Sequence, residues 1–385
     1  MGKIMNPIIA RLALLTTCLL LITSPCLAQT NPPAVPAKSP ETEPLQDSIK
    51  VFIEEVRIPI TAKDSNGRFD PTVELNDLML RENGVVQPLK SVYRTRPNVM
   101  LLLDTGGELN LAKNVRLTRE VAAGFISSLQ ADDQIAVMQV NNRIELLQPW
   151  TTNYADAVKS LNQLLPAKHN VLLKGLLTAV AEFNKVPPGN NHLVLISDGV
   201  DRSGVQPDLD EAYQAVLEAN VTLHVISYAS LGAKIPAPMP TRPRVKSAVA
   251  PELIEALPRT QRKEDPTPDL KTMMKNKGGF VLDIDLLFNR KGIKPALIER
   301  TKEFYVVTEE TGGNLSLPDS AEQMIRQAGE IARDIDSQYV MSYKPLQPFN
   351  SSSSTEYRKI EVISRRVGLT IKARRGYVAK NPSKS

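Results

Sequence analysis

The sequence predicts an α/β fold with a doubly wound, mostly parallel sheet, flanked by β segments from the N- and C-terminal regions. Continuous apolar runs at residues 98–103, 134–140, 192–197 and 221–228 are typical of strands covered on both faces. Segments with apolar residues at helical spacing, such as 112–129, separate these runs. Strands that alternate with amphipathic helices favour a parallel sheet with helices on both sides.

The remaining elements of this domain continue the alternation along the chain. The helix that begins near residue 320 has Ser320 or Asp319 as its expected N-cap, because short polar side chains accept hydrogen bonds from the first helical turn. The other predicted helices span residues 154–165, 172–183, 209–219 and 296–307, and the other strands span 143–147, 314–317 and 338–343.

Two β segments flank this domain in the sequence. Residues 49–95 form the first, because their apolar residues alternate and an Asn-Gly turn at residues 83–84 is typical of a hairpin. Residues 344–385 are predicted to form a C-terminal β-hairpin with its turn at Gly368. The two segments either pack together as one small sandwich, or remain separate ends of a single larger domain.

The first 28 residues have the pattern of a secretory signal peptide. Lys3 and Arg11 are positively charged, residues 12–22 are apolar, and cleavage is expected before Gln29. The apolar stretch is short of the roughly 20 residues that span a bilayer. We therefore expect export through a cleaved signal peptide to the periplasm or the extracellular space, with no membrane span after processing. An uncleaved anchor and a lipid attached at Cys26 are the alternatives.

Removal of residues 1–28 changes the chemistry of the chain. Cys18 and Cys26 are its only two cysteines, so the processed protein would have no disulfide and no thiol nucleophile. The formal net charge falls from +5 to +3 with the loss of Lys3 and Arg11. This small, dispersed charge does not favour nucleic acid as a partner.

Proline-rich stretches mark the predicted boundaries. Residues 29–48 contain five prolines and few large apolar residues, which is typical of a flexible linker. The α/β domain is expected at residues 97–343, with a proline-rich, basic insertion at residues 231–294. A functional loop and a linker are both consistent with that insertion.

Three short motifs carry a family resemblance. D-T-G-G-E begins at Asp104, S-D-G begins at Ser197 and T-G-G begins at Thr311. Their order and spacing resemble the D-x-S-x-S, (S/T)-D-G and T-G-G motifs of von Willebrand factor type A (VWA) domains. With its β segments and the tail at residues 339–377, the chain is similar to exported VWFA-related proteins of the acidobacterial type.

The resemblance implies a metal-ion-dependent adhesion site where the parallel strands end. In the family, two Asp residues, two hydroxyls and one Thr hold Mg²⁺, a cation that prefers oxygen ligands. Asp104 and Asp198 match the two Asp positions, whereas Gly106 and Glu108 stand at the hydroxyl positions and Val171 stands near the Thr. The site is therefore expected to be degenerate.

Two interpretations of this degenerate site remain open. Glu108 could coordinate Mg²⁺ with Asp104 and Asp198, which would place three carboxylates around the ion. Alternatively the site holds no metal, and the two Asp side chains accept backbone N–H bonds at loop turns. Lys174 lies three residues after Val171 in the sequence, and its positive charge would repel a cation at the site.

The sequence favours a binding module over an enzyme. No metalloprotease, phosphate-loop or nucleophile-elbow motif is present, and no catalytic or cofactor-binding residue is predicted. His192 and His224 lie in predicted strands and are interpreted as structural, whereas His169 lies in a loop near the metal edge. The expected partner is another protein or a cell-envelope macromolecule. The alternative is a metal-assisted hydrolase that uses Asp104, Glu108 and Asp198.

Overall fold

The computed structural model describes residues 55–107, 114–187, 189–201, 209–231, 295–347 and 355–380. The predicted signal peptide, the linker and residues 232–294 of the insertion lie outside this part of the chain. Glu108, the third predicted metal ligand, also lies outside it.

The described elements alternate between strands and helices through the middle of the chain. The strands are β1 (Val56–Lys63), β2 (Leu78–Glu82), β3 (Val85–Gln87), β4 (Leu89–Arg94), β5 (Pro97–Asp104), β6 (Gln134–Val140), β7 (Ile144–Thr151), β8 (Asn190–Ser197), β9 (Thr222–Ser227), β10 (Leu315–Ser316), β11 (Tyr339–Tyr343), β12 (Thr355–Ser364), β13 (Thr370–Ala373) and β14 (Gly376–Lys380). The helices are α1 (Val115–Ile126), α2 (Tyr154–Ser160), α3 (Leu172–Glu182), α4 (Leu209–Glu218), α5 (Pro295–Thr311) and α6 (Ala321–Asp336).

A six-stranded sheet forms the centre, in the order β10-β9-β8-β5-β6-β7. Neighbouring strands are parallel except for β7, which is antiparallel to β6 at the edge. Every residue of β5 is buried, because α1, α2 and α6 cover one face of the sheet while α3, α4 and much of α5 cover the other. The predicted α/β fold with a mostly parallel sheet is confirmed.

Local signals in the sequence explain where two helices begin. The Asn114 side chain accepts a hydrogen bond from the Leu117 backbone N–H at 2.8 Å, which starts α1 three residues later than the apolar spacing predicts. The Ser320 side chain accepts from Gln323 N–H at 3.1 Å, so Ser320 rather than Asp319 is the N-cap of α6.

Two four-stranded antiparallel sheets flank the central domain, in the orders β13-β1-β11-β4 and β14-β12-β2-β3. Both sheets contain strands from before and after the central domain in the sequence. Apolar side chains of the two sheets share one core, which includes Ile58 and Met341 from the first sheet and Leu80 and Ile360 from the second.

A buried ionic network lies within the second flanking sheet. The Glu82 carboxylate is 1% exposed and accepts hydrogen bonds from the Arg358 guanidinium at 2.9 Å and the Tyr377 hydroxyl at 2.9 Å. The Tyr343 hydroxyl from the first sheet also donates to it. Because three donors surround one buried carboxylate, this network joins the two sheets with defined geometry.

The pairing of two segments differs from the sequence-based expectation. Residues 339–343, expected within the central domain, form β11, which pairs with β1 and β4 of a flanking sheet. The strands on either side of Gly368 do not form a hairpin, because β12 pairs with β2 and β14 whereas β13 pairs with β1. The chain crosses between sheets where the Arg366 guanidinium forms ion pairs with Asp70 and Asp77.

Candidate functional site

Two of the predicted metal-site residues lie at the same edge of the central sheet. Strands β5 and β8 are adjacent and parallel, with Leu103 opposite Ile196. Asp104 ends β5, and Asp198 directly follows β8, so both stand at the carboxyl end of the sheet. Asp104 is fully buried and Asp198 is 1% exposed.

The Asp104 carboxylate accepts hydrogen bonds from the side chains of Ser197 and Asn170 and from the Gly106 backbone. The Ser197 hydroxyl donates to Oδ2 at 2.6 Å, and the Gly106 backbone N–H donates to Oδ1 at 3.1 Å. The Asn170 side-chain amide lies 3.2 Å from each oxygen. Both oxygens of this buried carboxylate are therefore satisfied by the chain itself.

The orientation of the Asn170 amide follows from its surroundings. Its Nδ2 atom also lies 2.8 Å from the Val200 carbonyl oxygen, so three oxygen atoms surround it. An amide nitrogen donates and an amide oxygen cannot, which assigns the nitrogen to this position. Asn170 is fully buried and joins the ends of β5 and β8 to the loop before α3.

Gly106 allows the loop before α3 to cross close to the end of β5. The Gly107 N–H donates to the Ala167 carbonyl at 2.9 Å. A Cβ atom on Gly106 would lie 2.2 Å from the His169 carbonyl oxygen and 2.6 Å from Asn170 Cβ. The position where the family motif has its first hydroxyl therefore has no room for a side chain.

The loop after β8 is held by short-range hydrogen bonds. The Ser197 hydroxyl accepts from Gly199 N–H at 2.9 Å, and Asp198 Oδ1 accepts from Val200 N–H at 3.2 Å. Asp201 Oδ2 accepts from Leu173 N–H at 3.0 Å, which satisfies a free backbone donor in the first turn of α3. Asp198 thus accepts a backbone N–H bond at a loop turn.

A buried tyrosine lies beneath these two acids. The Tyr228 hydroxyl and the Thr118 hydroxyl of α1 are 2.6 Å apart. Burial raises the pKa of Tyr228, and the negative charges of Asp104 and Asp198 raise it further. Tyr228 therefore stays protonated and neutral at ordinary pH.

Sequence reasoning missed Asn170 and Tyr228. The position expected to supply a Thr ligand was aligned with Val171, whereas the inward-facing polar side chain is that of its neighbour, Asn170. An available signal was that Asn170 is a polar residue directly before an apolar helix. Tyr228 gave no comparable signal, because it continues the apolar run of β9.

The two strand histidines lie away from this edge. His192 Nδ1 and His224 Nε2 are 3.1 Å apart within the sheet, and both rings are buried. Burial lowers the pKa of His192 to about 3 and also lowers the pKa of His224. Both rings are therefore neutral at ordinary pH. His169, in contrast, is exposed in the loop before α3.

The described residues around Asp104 do not fit a Mg²⁺ site. Mg²⁺ requires several oxygen ligands in an octahedron, but both Asp104 oxygens already accept from protein donors. The Asn170 amide hydrogens point at the same carboxylate, and Gly106 supplies no hydroxyl. Among the described residues, no group of three His, Cys, Asp or Glu side chains is arranged to hold a metal ion.

Among the described residues, the loop before α3 and the first turn of α3 carry exposed basic and apolar side chains. We define the rim as Leu165, Pro166, Lys168, His169 and Lys174, which are all exposed. The Leu165 side chain is 52% exposed, while its carbonyl oxygen accepts from the Thr105 hydroxyl at 2.8 Å and the Asn141 amide at 3.1 Å. The rim thus presents exposed side chains, and hydrogen bonds hold its backbone at Leu165.

Comparison with known proteins identifies the central domain. Residues 99–200 match the model of the von Willebrand factor type A domain. The chain therefore contains a VWA domain, as its motifs predict, and such domains are in general interaction modules. The acidobacterial grouping and export remain predictions. No curated protein matches the sequence.

Solved structures with related folds are distant in sequence. A von Willebrand factor type A protein from Catenulispora acidiphila is 10% identical over 87% of this chain and 76% of its own, with a TM-score of 0.39. BatB from Bacteroides thetaiotaomicron is 11% identical over 62% of this chain and 98% of its own, with a TM-score of 0.37.

The vWF domain of the type V pili tip protein Mfa5 from Porphyromonas gingivalis is 19% identical, with a TM-score of 0.26. That match covers 28% of this chain and 39% of the other, so the chain spans well under half of that structure. These low TM-scores carry no information about function.

In the part of the chain that the structure describes, no helix is long and apolar enough to cross a membrane.

Proposed function

We propose that this chain is an exported, non-enzymatic binding module that contacts another protein or a cell-envelope macromolecule through the rim. The proposal rests on one observation above all. The rim presents exposed basic and apolar side chains on the first turn of α3 and on the loop before it, which buried hydrogen bonds hold to the ends of β5 and β8. Loops on a rigid scaffold are the common place for recognition in such folds.

The charge of the rim suggests the chemistry of the partner. Lys168 and Lys174 form no ion pair among the described residues, whereas Asp104 and Asp198 are buried beneath them. The exposed charge of the rim is therefore positive, and it would attract an acidic surface. Leu165 would add apolar contact area at the same place.

Burial of the acids supports a binding role over hydrolysis. A metal-assisted hydrolase needs carboxylates that reach a metal and a substrate. Asp104 and Ser197 are fully buried, and Asp198 is 1% exposed. Each of these side chains already forms hydrogen bonds within the loops.

The proposal can be tested by affinity capture with residues 29–385. Wild-type protein and the double variant K168E/K174E would be immobilised, and the exported protein fraction would be passed over both. A partner bound by the wild type and reduced at least tenfold by the variant is expected. The control K359E/K380E makes the same charge change on exposed lysines of a flanking sheet. Equal capture by all three proteins would refute the role of the rim.

A further inference from the structure

We propose that the Asn170 side-chain amide takes the place of the cation in this VWA domain, so that the loops at the carboxyl edge are joined permanently without a metal. The inference concerns the folded protein itself and holds whether or not the rim binds a partner. It rests on the contacts of one nitrogen atom, with the carboxylate of Asp104 on one side and the carbonyl of Val200 on the other.

The amide connects the same loops that a cation would connect. Asp104 is the last residue of β5, Val200 belongs to the loop after β8, and Asn170 belongs to the loop before α3. With distances of 3.2, 3.2 and 2.8 Å, the amide nitrogen contacts oxygen atoms of both other segments. One neutral side chain therefore joins three segments that are far apart in sequence.

The amide also solves the electrostatic problem of a buried acid. A buried carboxylate is costly unless donors surround it. Ser197, Gly106 and Asn170 together direct O–H and N–H groups at both oxygens of Asp104. A cation bound there would compete with these donors for the same lone pairs, and the amide hydrogens would repel it.

Backbone packing prevents a substitution at Gly106 from restoring the hydroxyl ligand of the family motif. Because a Cβ on Gly106 would collide with the backbone at His169, the missing hydroxyl cannot be restored by substituting residue 106 alone. Asn170 is different, because an Asp there is nearly isosteric and would supply carboxylate oxygens beside Asp104. The chain is thus one substitution away from two adjacent carboxylates with the Ser197 hydroxyl nearby.

This relationship yields a test by gain of metal binding. The melting temperatures of wild type, N170D and N170A would be measured in EDTA and in millimolar MgCl₂ or CaCl₂. We expect no shift for the wild type. N170D should be destabilised in EDTA, because two buried carboxylates repel each other, and should recover by several degrees with the cation. N170A should be destabilised without any recovery, because it removes the donor and adds no ligand.

Calorimetry on the wild type keeps the inference falsifiable if N170D does not fold. Titration of Mg²⁺ into residues 29–385 should show no binding. Saturable binding by the wild type that is lost in D104N or E108Q would overturn the inference, because a cation would then occupy the site despite Asn170. Failure of folded N170D to respond to either cation would also contradict it.

Discussion

The Asn170 amide nitrogen lies 3.2 Å from each carboxylate oxygen of Asp104. These residues are 66 positions apart in the sequence and meet at the carboxyl edge of the central sheet, with Asp104 at the end of β5 and Asn170 in the loop before α3. This contact explains how a VWA domain with an incomplete metal motif keeps its carboxyl-edge loops together. The hydrogen bonds of Ser197 and Gly106 to Asp104 complete the same network.

Substitution of Ser197 should destabilise the protein because its buried hydroxyl forms two hydrogen bonds. S197A removes the donor to Asp104 and the acceptor for Gly199 N–H. Because one lost partner is a buried carboxylate, we expect a loss of about 2–3 kcal/mol in the free energy of unfolding, measured by urea denaturation. S227A is a matched control at the end of the neighbouring strand, where the hydroxyl accepts one backbone N–H. Equal losses in S197A and S227A would contradict the network.

A methyl group at Gly106 should be poorly tolerated. G106A would place Cβ 2.2 Å from the His169 carbonyl oxygen, so the loop before α3 would have to move. We expect a loss of about 3 kcal/mol in the free energy of unfolding, as for other overpacked sites. In the control G189A, the nearest atom to the added Cβ would be the Asn98 amide nitrogen at 3.6 Å, an ordinary contact. A G106A variant as stable as G189A would contradict the close approach of the loop before α3 to Gly106.

The hydrogen bonds and ion pair of Glu82 should stabilise the flanking sheets. E82Q leaves the Arg358 guanidinium buried with less compensating charge, since Arg358 is 2% exposed. We expect E82Q to lower the free energy of unfolding by about 3 kcal/mol. Y377F removes a single hydroxyl donor to Glu82 and should cost about 1 kcal/mol. Chemical denaturation compares the two variants, and a smaller loss in E82Q than in Y377F would argue against a buried ionic role for Glu82.

Stability should fall as the pH rises from about 4 to about 8 because of a carboxyl pair near the end of α6. Burial, together with the hydrogen bond and negative charge of Asp133, raises the pKa of Asp336 to about 8, although Gln130 N–H and Arg94 act in the opposite direction. Burial also raises the pKa of Asp133. The folded protein therefore binds a proton that the unfolded chain releases near pH 4.

The sign of this effect follows from the raised pKa. The stabilisation is fully present below about pH 4 and is lost as the pH rises towards 8. D336N should remove that part of the decline in melting temperature between pH 5 and pH 8.5, while the exposed control E120Q should leave it unchanged. A decline in D336N as steep as that of the wild type would show that the carboxyl pair does not titrate in this range.

The central fold could be predicted because its signals are local. The apolar run at residues 98–103 requires cover on both faces, and β5 has that cover. Ser320 offered a capping side chain at the start of α6, where the structure uses it. The spacing of apolar residues and the presence of a capping side chain depend only on residues close together in the sequence. Both can therefore be recognised before the fold is known.

Strand partners and the direction of loop side chains could not be predicted in this way. Alternation predicts the strands on either side of Gly368, but their partners, β1 and β2, lie almost 300 residues away, as do Asp70 and Asp77, which pair with Arg366 between these strands. Likewise, the sequence places the family's Thr position near Val171, whereas the side chain that contacts Asp104 is that of Asn170. Loop backbones have no fixed period, so the sequence alone does not decide which of two neighbours faces inward.

Hydrogen exchange at the carboxyl edge tests the central claim most directly. Exchange of the Gly106 and Gly199 amides, which donate to Asp104 and Ser197, would be followed in EDTA and in millimolar MgCl₂. A metal-independent network predicts equal protection in both buffers and reduced protection in N170A. Protection that appears only with Mg²⁺, or that is unchanged in N170A, would contradict the role assigned to Asn170.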